Sequence, residues 1–514
     1  MRKRIICLLL ASVMVLGAGC GVTPQEPEPT EPSDATEAPV EKIKDIVLQA
    51  EDGTLYGNLK VLTNRDDCTG SGYVTGFNSQ DSFVSIPVEV PQTGAYDLIF
   101  SAASGGDYKE MDIYVDGGKY GTIQIQSNDF AANVIKKSWL SAGKHTIEVK
   151  MGWGHIDLDR VTVRQVEPVQ DSLYSGVDKE PCNPNATQTT KNLYHFLTSI
   201  YGKQTLMGSH TENNTMFCPD MIVVEKTVGT YPAFMEMDLM EFSSSRGGEE
   251  EDVDSFVRNA ETFYEKGGII ATSWHWNAPA KYLYDTPDQP AYRGFYQEAT
   301  SIDVERIMLG QDKEGYDLLL HDIDIIAQVL KKLQEKDIPV IFRPLHEGDG
   351  GWFWWGGKTG TAYKELWWML YDRLTNYHGL NNLIWVWNCS DRTWYPGDNC
   401  VDIISVDTSA GYHNYATLSD HFVRQSSYGE NRKMVAMSEC GTAIDPDRMH
   451  EENVQWLYYS FWTGGFADSY STEYKYDSNS NTEQQMLEKI AASAYILMLD
   501  DLPDWKNGVF EKEQ

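Results

Sequence analysis

From about residue 45 the chain alternates apolar and polar residues with a period of two. The segments "DSFVSIPVEV" (81–90), "AYDLIFSAA" (95–103), "MDIYVDG" (111–117), "KHTIEVKM" (144–151) and "IDLDRVTVRQ" (156–165) each place apolar side chains on one face. That is the period of a half-buried strand. Turn signals such as "DGG" and "SAGKH" separate the segments, and little in this region repeats at helical spacing. The pattern predicts an all-β, jelly-roll-like sandwich over residues 45–168.

Beyond residue 169 the pattern changes. Short apolar runs now alternate with longer stretches of period 3.6. Strands are expected at "TLMGSH", "YPAFMEMD", "GGIIATSWHW", "IPVIFRPLHE", "NLIWVWN", "VDIISVD", "KMVAMSE" and "LYYSFWTG". Amphipathic helices are expected at "DVDSFVRNAETFYEKG", "YDLLLHDIDIIAQVLKKLQEKD", "YKELWWMLYDRLTNYH" and "TEQQMLEKIAASAYILML". Eight strands interleaved with helices imply a parallel α/β arrangement. At this length the natural closure is a (β/α)8 TIM barrel over residues 169–514. A doubly wound open sheet is the alternative, but no glycine-rich phosphate loop follows the first strand.

Residues 1–44 belong to neither pattern. "MRKR", the apolar "IICLLLASVMVLGA" and "GAGC" ending in Cys20 read as an export signal, too short in its apolar run to span a membrane as a helix. The segment resembles a bacterial lipoprotein signal, which implies lipid on Cys20 and anchoring of the exported protein at the cell surface; plain secretion is the alternative. Leu16 lies one position further from Cys20 than that motif prefers. Residues 21–44 are rich in Pro, Glu and Thr, with little to bury, and read as a disordered tether.

Charge and composition narrow the partners. A formal net charge of −34 repels nucleic acid, so an uncharged or cationic ligand is expected. The 15 Trp and 29 Tyr supply rings suited to stacking on sugars. No C-x-x-C pair occurs, which argues against a zinc site.

In a β/α barrel the chemistry sits at the C-terminal strand ends. The expected strand ends carry His210, Asp238, His275, Arg343, His346, Glu347, Asn388, Asp407, Glu439 and Trp462. Glu347 ends the fourth strand and Glu439 ends the seventh, so the two face each other across the mouth. Two carboxyl groups so placed are the equipment of glycoside hydrolysis: one protonates the leaving oxygen, the other attacks the anomeric carbon. Arg343 and His346 are placed to set their pKa values apart. Rings in "FRPLHEGDGGWFWWG" (342–356), and Trp462, would line the cleft and stack on pyranose faces. No metal or cofactor is called for in such catalysis.

The segments "SWHWNAP" (273–279), "FRPLHEGDGGWFWWG", "IWVWN" (384–388), "VAMSECG" (435–441) and "SFWTGG" (460–465) resemble glycoside hydrolase family 26, which contains endo-β-1,4-mannanases. The resemblance implies retaining hydrolysis of mannan, galactomannan or glucomannan, with Glu347 as acid/base and Glu439 as nucleophile. It places His275, Arg343, His346, Trp352 and Trp462 around the sugar at the cleavage point. Members often have a Tyr bonded to the nucleophile two residues after the sixth-strand Asp; here that position is Ser409, and Tyr412 is the candidate substitute.

The front region, through "LQAEDGTLYG" and "GWGHIDLDRVTV", resembles a family 35 carbohydrate-binding module. That resemblance implies a structural calcium with Glu51 and Asp159 among its ligands, Gln49 standing where an acid is common. It makes Trp153 the sugar-stacking ring; a buried sandwich Trp is the alternative. The competing functions are another β-glycanase activity of the same family, including mannobiose release or action on β-glucan or xylan, and a non-catalytic glycan-binding protein. Both glutamates standing in intact motifs argue against the last.

Overall fold

The computed structural model describes residues 43–248, 250–468 and 473–512. The export signal and all but the last two residues of the tether lie outside the described residues. No described helix is long and apolar enough to cross a membrane.

The front region is a sandwich of two antiparallel sheets. One runs Lys60–Leu62, Tyr73–Thr75, Asp157–Gln165, Gly94–Ala103, Ala131–Leu140, with Ile46–Gln49 beside Asp157–Gln165. The other runs Thr54–Leu55, Phe83–Val90, Gly143–Trp153, Lys109–Val115, Gly118–Ile125. Alternation fixes which side chains go inward. Val84, Ile86, Val88 and Val90 are buried, and they meet Leu98, Phe100, Ile113, Ile147 and Val161 in one core. Sequence pattern missed the strands at 118–125 and 131–140, whose polar faces and charged residues dilute the alternation.

The second region is a closed barrel of eight parallel strands. We label them β1 Thr205–His210, β2 Phe234–Asp238, β3 Ile269–Ser273, β4 Val340–Arg343, β5 Leu383–Asn388, β6 Ile403–Asp407, β7 Met434–Cys440 and β8 Tyr458–Phe461. Each pairs with the next, and β1 pairs with both β8 and β2, which closes the ring. The strands are buried nearly throughout and mostly apolar because both faces are covered, with polar residues gathered mainly toward their C-terminal ends. Gly208 is required where β1 meets β2: a Cβ there would lie 1.9 Å from the Phe234 ring.

The helices obey the 3.6 period. The longest, Lys313–Glu335, starts at an Asp312 cap and turns Leu319, Ile323, Ile326, Leu330 and Leu333 to the barrel. The helix expected over 482–499 is shorter: Gln484–Ala491 is helical, then Ile496–Leu497 forms a short strand beside β1. The apolar run "YILM" is buried by pairing there rather than by helical packing. Module and barrel meet through side chains. Arg448 stacks 3.8 Å over the Tyr120 ring, Lys119 Nζ donates to the Tyr412 carbonyl at 3.1 Å, and Lys136 pairs with Asp420 at 2.8 Å.

Candidate active site

The mouth of the barrel is organised around Arg343, the last residue of β4 and 1% exposed. Its Nε donates to Glu236 at 3.0 Å, one Nη to Asp407 at 2.9 Å and the other to Glu439 at 2.7 Å. Three carboxylates from β2, β6 and β7 thus share one guanidinium. Burial alone would lower the Arg343 pKa, but the three carboxylates outweigh it and keep the group charged. Glu439 is aimed by an irregularity in β7, whose register slips against both β6 and β8 near this residue. Such bulges re-aim a side chain at an active-site rim.

Glu347 sits in a turn held in an unusual conformation. Leu345 has φ 51° and Glu347 φ 52°, left-handed values that non-glycine residues rarely adopt. The surroundings enforce them: Tyr363 donates to the Leu345 carbonyl at 3.1 Å, Trp355 to the His346 carbonyl at 2.8 Å, and Glu347 N–H to the Asn388 carbonyl at 2.9 Å. Local strain of this kind persists only when packing over-determines it. The aromatic run after Glu347 therefore divides in role. Phe353, Trp354 and Trp355 are buried; Phe353 and Trp355 pack on His346 in the turn, Trp354 packs on Trp276 and Trp355, and none of them lines the cleft as the sequence suggested. Trp352 stays 48% exposed and donates its Nε1–H to Glu347 Oε2 at 2.7 Å.

One oxygen from each of Glu347, Asp407 and Glu439 lies within 4.8 Å of the others. Three acids so close resemble a cation site, but Arg343 already occupies two of them. Burial, then the charge of Asp407, pushes the Glu347 carboxyl above its ordinary range; Trp352 and Arg343 pull it partly back. Burial, then Asp407, with Glu347 adding to them, push Glu439 well above its ordinary range, with Arg343 opposing. Only Glu439 touches the guanidinium directly. That direct contact favours the ionised form of Glu439, and Glu347 lacks it.

The two histidines complete the wall. His275 Nδ1 meets Asp238 at 2.5 Å, and its Nε2 lies 3.2 Å from His346 Nε2. Burial, then Arg343, depresses the His346 pKa well below the usual histidine value, so that ring is neutral. Trp462, directly after β8, is 41% exposed and lies against the His210 ring at 4.8 Å. A cavity of about 440 Å³ opens here, lined by His210, Glu236, Asp238, His275, Tyr296 and Trp462.

The structure thus brings Glu347, Glu439, His275, Arg343, His346, Trp352 and Trp462 to one mouth. Tyr412 is not brought to Glu439: among the described residues it is not a hydrogen-bond partner of that carboxylate. Lys119 draws its loop toward the module, where the ring is 53% exposed and stacks on His413. Ser409 bonds Thr442 at 3.3 Å. In the module Trp153 is 56% exposed, with Lys109 Nζ 4.7 Å from its ring, so it is not a buried sandwich residue. Glu51 accepts from the Ser71 N–H at 2.6 Å and Asp159 from the Thr69 N–H at 2.6 Å, which places both around the 68–72 loop.

Two residues escaped sequence reading. Glu236 lies inside β2 and was masked by its apolar neighbours, although a carboxylate amid "FMEMD" was the available signal. Asp220 is buried and accepts four backbone N–H groups, from Gly464, Gly465, Phe466 and Ala467, at 2.6–3.1 Å. It fixes the loop that follows Trp462, and nothing in the local sequence connects the two.

Residues 182–488 match glycosyl hydrolase family 26, and residues 46–166 match carbohydrate binding module family 35. The chain belongs to glycosyl hydrolase family 26. It is 36% identical over 507 residues to a mannan endo-1,4-beta-mannosidase of Thermothelomyces thermophilus, covering 98% of this chain and 100% of that one. It is 32% identical to mannan endo-1,4-beta-mannosidase B of a Piromyces species, over 91% of this chain and 79% of the relative. The crystal structure of a Podospora anserina GH26-CBM35 beta-(1,4)-mannanase superposes with a TM-score of 0.63 at 32% identity, covering 90% of this chain and 99% of that one. In this family 26 chain the arginine-centred carboxylate cluster occupies the C-terminal mouth of the barrel, where the fold places chemistry.

Proposed function

We propose that the protein is a retaining endo-β-1,4-mannanase acting on mannan, galactomannan or glucomannan. The observation that carries this reading is the pair Glu347 and Glu439, with oxygens within 4.8 Å and different donors, a guanidinium on Glu439 and an indole N–H on Glu347. A retaining glycosidase needs its carboxyl groups about 5–5.5 Å apart; an inverting one needs roughly 6.5–9.5 Å, to admit a water.

The mechanism follows from the two environments. Glu439, held ionised by Arg343, attacks the anomeric carbon. Glu347 passes its proton to the glycosidic oxygen as the C–O bond breaks, and the leaving chain departs with a free hydroxyl. Glu347, now ionised and stabilised by the Trp352 indole, takes a proton from water. That water attacks the anomeric carbon from the face the leaving group vacated, releasing Glu439 and restoring the starting configuration. The proton and the nucleophile both come from side chains, and no cofactor is needed. Exposed Trp352 and Trp462 present rings for pyranose faces.

The module is proposed to hold polymer through Trp153. A structural calcium is proposed elsewhere in the module, at Glu51 and Asp159 around the 68–72 loop. Glu51 Oε2 is buried with no partner, and Gln49 Oε1 and Asp159 bond the same Thr69 hydroxyl. An oxygen donor set of this kind suits a hard cation. Export, with a lipid on Cys20, is proposed from the N-terminal segment. The test of function is incubation with galactomannan, glucomannan, lichenan and xylan with product sizing. Early release of mid-length products from the first two supports the reading; mannobiose alone, or cleavage only of lichenan or xylan, contradicts it.

A further inference from the structure

Module and barrel leave a cleft of about 660 Å³ between them. Its module wall is built on the strands Lys109–Val115 and Gly118–Ile125 and presents Glu110, Thr122 and Gln124. Its barrel wall is the loop after β6, presenting Ser409, Tyr412 and Asn414. Hydroxyl, amide and carboxylate groups face one another here beside an exposed ring. Cavities of roughly 300–1,000 Å³ are the size that holds small ligands.

Charge decides what kind of ligand fits. The cleft's cations Lys119, Lys136 and Arg448 are each paired with a carboxylate, Asp112 at 3.1 Å, Asp420 at 2.8 Å and Glu452 at 3.0 Å. An anion would have to break these pairs. Thr122, Ser409 and Asn414 are bonded within the protein, so a neutral polyol meets the exposed Gln124 amide, the Glu110 carboxylate and the Tyr412 ring, whose quadrupole and apolar face suit the C–H face of a sugar. The Lys136–Asp420 pair, the Lys119 bond to the Tyr412 carbonyl and the Arg448–Tyr120 stack also tie the two walls, so the cleft is formed before any ligand arrives.

Position decides which polyol. In the eight-stranded ring β6 stands opposite β2. The mouth cavity at His210, Glu236, His275 and Trp462, beside the two glutamates, opens on the side of β1–β3 and β8. A polymer lying in that cavity and crossing the two glutamates leaves over the far rim, where the β6 loop begins. Thr408 N–H donates to the Glu439 carbonyl at 3.0 Å, and the next residue, Ser409, already lines the cleft. At the other end Gly152 lines the cleft and Trp153 follows it directly.

We propose that this cleft is a second glycan-binding site, which takes a run of neutral β-linked hexose units from the same chain that is being cut. It bridges the catalytic mouth to Trp153 and makes module and barrel one continuous polymer track. The proposal rests on the endo-mannanase reading, and turnover of short oligosaccharides reports that reading separately.

The test uses the full-length protein. Gln124→Trp obstructs the cleft from the module wall, away from the glutamates, and Tyr412→Ala removes the ring. Steady-state kinetics are measured on soluble galactomannan and on a manno-oligosaccharide short enough to be held by the barrel alone. Both variants are expected to raise KM for the polymer on the order of fivefold or more, the lower end of ring stacking on a planar ligand. Gln124→Trp should leave short-oligosaccharide turnover unchanged. Combined with Trp153→Ala, it should add less than the two losses taken separately, because an interrupted track no longer reaches that ring. The milder Gln124→Ala should move KM in the same direction by less. Unchanged polymer KM in folded Gln124→Trp and Tyr412→Ala overturns the proposal. So does an equal loss on the short substrate with Gln124→Trp, which would mark a packing defect.

Discussion

Trp352→Phe isolates one hydrogen bond at the site. Phenylalanine keeps a ring over the cleft and deletes only the indole N–H, which in the native protein reaches Glu347 Oε2 at 2.7 Å. That N–H stabilises the ionised carboxylate, so its loss favours the protonated form and raises the Glu347 pKa further. A hydrogen bond to a charged group contributes about 1.5–3 kcal/mol net. Trp352 is 48% exposed, so water replaces part of the bond, and the remaining loss is about 1 kcal/mol on that scale. One pKa unit corresponds to about 1.4 kcal/mol, so the shift is roughly 0.5–1 unit upward. Glu347 must be protonated for the first step, so its ionisation sets the alkaline limb of kcat/KM. The assay is the pH profile of kcat/KM on a manno-oligosaccharide for wild type and variant. The alkaline limb should move up by that amount. The acidic limb, set by Glu439, should stay, because Trp352 does not touch that residue. An alkaline limb that stays or moves down refutes the assignment of Glu347 as the proton donor.

Four further outcomes follow from the geometry. Glu347→Ala should still form the glycosyl-enzyme from substrates with good leaving groups, and added azide should speed its breakdown to a β-configured product; no azide effect with both steps slowed equally would remove Glu347 from the acid/base role. Asp220→Asn should cost about 1–3 kcal/mol, because an amide NH2 must then face backbone donors; loosening the loop after Trp462 should raise KM more than it lowers kcat, and an unchanged KM would detach Asp220 from substrate positioning. Trp153→Ala should weaken binding of the full-length protein to insoluble mannan by about 1–3 kcal/mol on the scale of ring stacking; chelator should lower the melting temperature without changing turnover of short substrates, since an ion that binds only the folded state acts by mass action.

Much of this was legible in the sequence, for physical reasons. A barrel strand covered on both faces has to be apolar, and the first polar residues after it have to emerge at the mouth. "IPVIF" followed by "RPLHE" carries both facts, and so does "VAMSE". What sequence obscured depends on contacts between distant segments. Trp354 and Trp355 look like cleft walls in one dimension, but the turn at Leu345–Glu347 needs bracing from beneath, and Trp355 supplies it with Trp354 packed behind. Glu236 and Asp220 bond partners 107 and more than 240 residues away. Tyr412 follows the sixth strand closely enough to be expected at the nucleophile, but a lysine of the front module holds its backbone elsewhere. No local pattern encodes that lysine's position.

The central claim is that Glu439 forms a covalent bond to the sugar while Glu347 supplies the proton. The direct measurement is to incubate the Glu347→Ala protein with an activated mannoside of good leaving group, quench during the steady state, digest, and locate the added sugar mass by tandem mass spectrometry. The account predicts one hexosyl adduct per chain, on the peptide containing "VAMSECG" and on Glu439 within it. An adduct on Asp407, which shares the same arginine, or complete turnover with inverted product and no adduct at all, would contradict it.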